Sequence, residues 1–364
     1  MASRGVHVFR LETRPEASEA MRYWSPAIAV ALTLAGGMVI FAALGKNPVE
    51  GFRVFFVSPM RDLNGIAELL LKATPLMLIA VGLAVGFRAN VWNIGAEGQF
   101  LMGAVGATGV ALAFKGASAV VLLPSMIVAG AIGGALWAAI PAVLKTRFNA
   151  NEILTSLMLV YIAQLGVSWL VFGPWKDPAG FNFPQTETFE DAALLPMLIE
   201  GTRLNLAFVV ALAALAGGYV FMAKSFVGFK MRVAGESEAA ARYAGFSTVA
   251  MVWIGMLVGG AAAGIAGMAE VAGPAGQLTD KLSSGYGFAA IIVAFVGRLN
   301  PIGIFFASLL MALLYIGGEQ AQQYLSLPSS ISKVFQGMLL FFLLGSDVLI
   351  QYRLRRVVRA HKVA

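Results

Sequence analysis

The chain alternates long, unbroken apolar runs with short polar turns, and a run of roughly 20 apolar residues is what a helix needs to cross a bilayer. Read this way, the pattern predicts spans over Ser25 to Leu44, Ile66 to Phe87, Ile94 to Phe114, Ala119 to Leu144, Ile153 to Phe172 and Leu204 to Ala223. Further spans are predicted over Thr248 to Val271, Pro301 to Gln320 and Ile331 to Ile350, with a shorter apolar piece from Tyr286 to Val296. The runs do not alternate with period two, which excludes a membrane β-barrel. The expected fold is therefore all-α and polytopic, with about ten transmembrane helices. Residues 1–24 form a polar tail, 25–350 a transmembrane domain and 351–364 a basic tail. Lys46 to Asn64 is expected to be an exposed amphipathic segment with Phe52, Phe55 and Phe56 on one side.

Composition agrees. The 364 residues are 59% hydrophobic and 12% charged, with a mean hydropathy of +0.80; a soluble domain carries about twice that charged fraction. The net charge of +7 is read as basic loops that orient a membrane protein rather than as a nucleic-acid surface. With both tails on the cytoplasmic face, most Lys and Arg fall on that side, including Lys145, Arg147 and the Arg353 to Lys362 tail. The Pro-rich loop 173–203, more acidic than basic, then falls outside. No cysteine is present and the only histidines, His7 and His361, lie in the tails. A disulfide, a thiolate metal site and a histidine-based triad are therefore not expected.

Small residues recur at helical spacing: Gly82/Gly86, Gly130/Gly134, Gly255/Gly259 and Gly260/Gly264. Such pairs let helix backbones approach closely. The run Gly103, Gly106, Gly109 is likewise read as helix packing. Glu68 and Lys72, four apart, are expected to pair with each other on one face near the start of their span.

Three polar constellations stand out. The first is Asn90, Trp92, Asn93, Glu97 and Gln99, within the stretch RANVWNIGAEGQ. Polar side chains at membrane depth are costly unless they face a partner, cavity or pathway. Asn93 and Glu97 would share a face on one helix. Glu97 either caps its own span, bonds to a neighbouring helix or lines a pathway or gate, and Gly95 and Gly98 permit a broken backbone there. The second is Asn151-Glu152 before a span, suited to capping and to the helix dipole, or to a pathway lining. The third lies in the basic loop 224–247: Gly235, Glu236 and Ser237, then Ala240, Ala241 and Gly245. Ser237 should cap a short helix and Gly245 end it. A short helix with a small-residue face between two glycines suits the groove of another protein. No P-loop, HExxH or GxSxG motif occurs, so the chain supplies neither an ATPase nor a recognisable catalytic centre.

The loop GFKMRVAGESEAAARYAGFS resembles the coupling segment of ABC-importer permeases, with Gly235, Ala240 and Ala241 in place and Gly245 one position short of a strict match. Together with NIGAEGQ, NEILTSLMLVYIA and GYGFAAIIVAFVGRLNP, it resembles the branched-chain amino acid/ribose-type permease family over about residues 60–350. Within it, the likeness is nearest to the permeases of nucleoside importers that use basic-membrane-protein-type lipoproteins. Leu159-Val160-Tyr161 departs from the Leu-Asn-Tyr of nucleoside members.

The resemblance implies a type II ABC-importer-like permease with two related halves, in a bacterial inner membrane. Its implied partners are a second permease, a shorter paralogue; an ATPase with two fused nucleotide-binding domains that holds ATP and Mg; and an extracytoplasmic binding lipoprotein. The chain itself binds no cofactor and no nucleic acid. Residues 235–245 would transmit the ATPase movement, loop 173–203 would receive the lipoprotein, and nucleosides would be the substrate. A simple-sugar permease of the same family is the alternative. A proton-coupled secondary transporter working through Glu97 and a non-transporting membrane scaffold are the alternatives from other classes.

Overall fold

The computed structural model describes residues 6–16 and 18–359; His361 and Lys362 lie outside them. In chain order the elements are β1 (Val6–Thr13), α1 (Glu19–Ala43), α2 (Pro48–Phe52), α3 (Leu63–Arg88), α4 (Ala96–Ala113), α5 (Ala119–Phe148) and α6 (Glu152–Phe172). There follow α7 (Ala207–Lys224), α8 (Phe226–Glu236), α9 (Glu238–Tyr243), α10 (Thr248–Glu270), α11 (Tyr286–Val296), α12 (Pro301–Leu325), α13 (Ile331–Gln351) and β2 (Tyr352–Arg359). Among the described residues, eight helices are long and apolar enough to cross a membrane. The other two predicted spans are the 18-residue α4 and the 11-residue α11. The chain is thus a nearly all-helical polytopic protein, with one two-stranded sheet that its hydropathy did not announce.

Contacts divide the chain into two units, Met1–Val57 with Gly317–Ala364, and Ser58–Ile316. In the first, α1 packs along α13, and β1 pairs antiparallel with β2, Val6 opposite Arg359 and Thr13 opposite Tyr352. The segment expected to be an exposed amphipathic stretch has both faces: Arg53 and Val57 are exposed, whereas Phe55 and Phe56 are buried. After α2, residues Arg53–Val57 form a π-helical turn that buries both Phe55 and Phe56. Phe55 stacks on Phe335 at 4.5 Å between ring centres, and Phe41 lies 6.1 Å from Phe55. Phe52, Phe55 and Phe56 sit together as expected, Phe56 lying 5.0 Å from Phe52 and 4.8 Å from Phe55 between ring centres.

The second unit is built around α3, whose apolar window is 89% buried. Asp62 caps its start, accepting the Gly65 amide at 2.6 Å. The predicted glycine pairs meet one another inside the chain. Gly82 and Gly86 of α3 face Gly259 and Gly255 of α10, while Gly130 and Gly134 of α5 face Gly264 and Gly260 on the same helix. Gly103 of α4 also abuts Gly264, so α4, α5 and α10 cross where none carries a side chain. Backbone-to-backbone contact of this kind needs glycine, because a Cβ at Gly264 would overlap the Gly130 carbonyl. By contrast, α5 and α6 expose large apolar residues such as Val120, Leu136, Leu165 and Trp169, as helices facing lipid do.

The loop 173–203 is ordered against the segment after α10. Thr186 N donates to Leu278 O at 3.0 Å, Phe189 N to Gly276 O at 2.8 Å and Leu195 N to Ala272 O at 2.7 Å. Thr186 and Leu278 are fully buried in this cap.

Candidate functional site

α3 ends at Arg88, and Asn90 turns the chain with φ 57°, a left-handed conformation that Asn tolerates. Residues 91–94 are then neither helix nor strand, and α4 begins only at Ala96. The expected Asn93–Glu97 helical face therefore does not form, because Asn93 precedes the helix. It pairs instead with Gln99: Asn93 Nδ2 donates to Gln99 Oε1 at 2.8 Å, and Gln99 Nε2 returns a bond to Asn93 Oδ1 at 2.9 Å. Asn93 Oδ1 also accepts the Gly95 amide at 3.1 Å. Both side chains are about 1% exposed, so the two amides hold the broken backbone against its own helix. Ser156 of α6 supports the same turn by accepting the Ile94 amide at 3.2 Å.

Glu97 is 2% exposed. Its Oε2 accepts the Gly287 amide of α11 at 2.7 Å. α11 is preceded by Gly285, which has no side chain to cap it, and the first amides of a helix lack intrahelical partners. Glu97 thus caps α11 from another helix. Close approach makes this possible: a Cβ on Gly287 would overlap the Glu97 backbone.

Asn90 and Trp92 lie nearer the surface. Trp92 Nε1 donates to Asn90 Oδ1 at 2.8 Å, and its ring stacks on Phe295 at 5.8 Å. Arg88, which the sequence did not single out, donates to Leu299 O at 2.9 Å. It ties the end of α3 to the turn between α11 and α12.

Asn151 caps α6, its Oδ1 accepting the Ile153 and Leu154 amides at 2.9 and 3.3 Å. Glu152 pairs with Lys145 at 2.9 Å. This pair closes the turn between α5 and α6, where Asn149 takes φ 51°.

In the basic loop, Ser237 caps α9, accepting the Ala240 amide at 3.2 Å, and Gly245 ends the turn with φ 75°. Gly235 and Glu236 are not part of that short helix; they form the last turn of α8. Gly235 packs on Arg88 and Ala89, with no room for a side chain. Ala241 is fully buried, Ala240 is exposed and Tyr243 is 98% exposed. Glu238 and Arg242 pair across one turn of α9.

These pieces converge. A groove of about 670 Å³ runs between α9, the α3–α4 turn and the α5–α6 turn, lined by Asn90, Trp92, Arg147, Glu152, Glu238 and Arg242 among others. Asn93, Glu97 and Gln99 do not line it; they lie behind it in the protein.

At the other end of α3 is a cluster the sequence reading missed in part. Arg203 donates to Glu68 through two nitrogens, at 2.8 and 2.6 Å. Lys72 donates to the Tyr286 hydroxyl at 3.3 Å. Glu270, the one acid in the α10 apolar run, completes the cluster. A lone acid in such a run was the available signal.

A bundle of apolar helices with a broken, polar re-entry and a short helix set on an exposed loop defines a multi-pass membrane permease. Residues 65–344 match the family model described as "Branched-chain amino acid transport system / permease component", and the chain belongs to that family. It is 36% identical to a glucose ABC transporter permease protein of Haloferax volcanii, over 94% of this chain and 93% of the relative. It is 31% identical to a guanosine ABC transporter permease protein of Bacillus subtilis, over 88% and 92%. A nucleoside ABC transporter permease protein of Lactococcus lactis is 28% identical over 87% and 89%. The chain is therefore the permease subunit of an ABC importer and not an enzyme; hydrolysis belongs to a separate ATPase. A substrate-binding partner is likewise implied in general by the family.

Proposed function

We propose that this permease imports nucleosides across the plasma membrane of a bacterium, with both termini cytoplasmic. The observation that carries the reading is the pairing of Asn90 with Trp92 at the groove beside α9. An amide next to a stacked indole suits a neutral solute with a flat base and hydrogen-bonding edges. The guanosine and nucleoside relatives support the same substrate class. α9 is the coupling helix. The ATPase seats on its exposed face, Tyr243 and Arg242, and movement passes through Gly235 of α8 to the end of α3. Glu236, Ser237, Ala240, Ala241 and Gly245 shape that element. Asn93, Glu97, Gln99, Asn151 and Glu152 are the gate: they hold the α3–α4, α4–α11 and α5–α6 joints that must shift in alternating access. The ordered cap 173–203 receives the binding lipoprotein. A second permease completes the pathway, and an ATPase with two fused nucleotide-binding domains drives it.

A simple-sugar substrate is the second reading, favoured by the glucose permease relative. The test is uptake in proteoliposomes holding the whole complex and its binding protein. Labelled guanosine should accumulate with ATP, and excess D-glucose should not compete. Accumulation of glucose with no guanosine uptake would overturn the nucleoside assignment.

A further inference from the structure

The cluster at the far end of α3 encloses a cavity of about 200 Å³, walled by Lys72, Arg203, Glu270, Tyr286 and the Pro274–Ala275 turn. Sixteen residues of α3 separate Lys72 from Arg88, about 24 Å at the helical rise, so this cavity is distinct from the groove beside α9. Arg203 comes from the loop 173–203 with its side chain 60% exposed, so the cavity lies at the loop end of the bundle.

Three features bear on what it takes. First, the charges balance. Lys72 and Arg203 face Glu68 and Glu270, so neither an anion nor a cation is favoured. Second, the cluster offers both donors and acceptors on rigid supports. Arg203 is held in a plane by its two bonds to Glu68, and Lys72 is directed by the Tyr286 hydroxyl. Third, an aromatic residue lines the cavity and turns its hydroxyl edge to Lys72. Tyr286 is 1% exposed and wedged between Phe100 and Tyr315, with ring centres at 5.9 and 5.6 Å. Charged side chains and a phenol hydroxyl that exchange hydrogen bonds with hydroxyl pairs are the requirements of a neutral polyol. The volume lies below the roughly 300–1,000 Å³ of pockets that hold drug-sized ligands, so it admits a sugar ring but not a whole nucleoside.

We propose that this cavity is a weak binding subsite for the sugar ring of the transported solute. The proposal rests on the reading of the chain as a permease for a sugar-bearing solute, and it holds for a ribose or a hexose. The subsite is linked to the joint already described. Tyr286 is the first residue of α11, and the next amide, Gly287, is the one that Glu97 holds. Loading the cavity would therefore bear on the α4–α11 joint.

The test is saturation-transfer NMR on the purified permease–ATPase complex without binding protein, probed with guanosine, D-ribose, D-glucose and, as a control, L-leucine. Transfer is expected to the sugar protons, stronger than to the guanine H8, with none to leucine. Glu270→Gln and Lys72→Met should each weaken sugar binding about tenfold, as loss of one charged hydrogen bond does. Tyr286→Phe, which keeps the ring, should weaken it less. Co-purification with the ATPase at unchanged size checks that each variant has folded. Absence of transfer to any sugar from the wild-type complex, or equal transfer from folded Glu270→Gln, would overturn the proposal. Glucose transfer without guanosine import would support the cavity and refute the nucleoside substrate. Guanosine import without sugar transfer would do the reverse.

Discussion

Replacing Glu97 by alanine removes the side chain that caps α11. The Gly287 amide, 2.7 Å from Glu97 Oε2, would be left buried with no acceptor. A stranded buried donor costs roughly 1–3 kcal/mol. The void left by a side chain only 2% exposed adds to this, and about 2–4 kcal/mol in total is expected. Glu97→Gln keeps a carbonyl oxygen in reach and forfeits mainly the interaction of an acid with a helix N-terminus, roughly 0.3–1 kcal/mol. The order of stability should be wild type, then Glu97→Gln, then Glu97→Ala. The thermal midpoint of the purified complex gives that order. Hydrogen exchange adds location: in Glu97→Ala the amides of residues 286–290 should exchange faster, while those of α6 should not. An unchanged midpoint together with unchanged exchange at Gly287 would refute the capping role, and with it the place of Glu97 in the α4–α11 joint.

Two further substitutions test the scaffold around that joint. Gly264→Leu should abolish folded complex, since a side chain there meets the Gly130 and Gly134 backbones, whereas Gly166→Ala, with nothing within 4 Å, should leave yield and thermal midpoint intact or slightly raised. Alanine at Asn93 or Gln99 strands the partner amide; each single variant should lose about 1–2 kcal/mol, and the double variant little more than either alone. A double variant equal to the sum of the two would contradict their reciprocal pairing.

Much of this was readable from the chain itself. The apolar runs predicted the helices to within a few residues, because length and hydropathy are local properties. The glycine pairs foretold close packing, and the helices that meet do so through those pairs. Ser237 and Gly245 marked the short helix α9, since caps are also local. What stayed hidden depends on distance along the chain. Glu97 and Gly287 are 190 residues apart, so no spacing rule links them. Arg203 reaches Glu68 from a loop 135 residues away. Asn93 defied its spacing because helical periodicity was applied one turn before the helix begins.

The structure also bears on how the coupling role is tested. Gly235→Trp would collide with Arg88 and Ala89, so lost uptake in that variant would report broken packing rather than broken coupling. Tyr243, 98% exposed on α9, is the better probe, and the chain has no cysteine to confuse a label. The decisive measurement is maleimide labelling of Tyr243→Cys in membranes with and without the ATPase subunit. Labelling of the permease alone should be rapid, with strong protection once the ATPase is bound. Equal labelling in both states would contradict α9 as the docking helix.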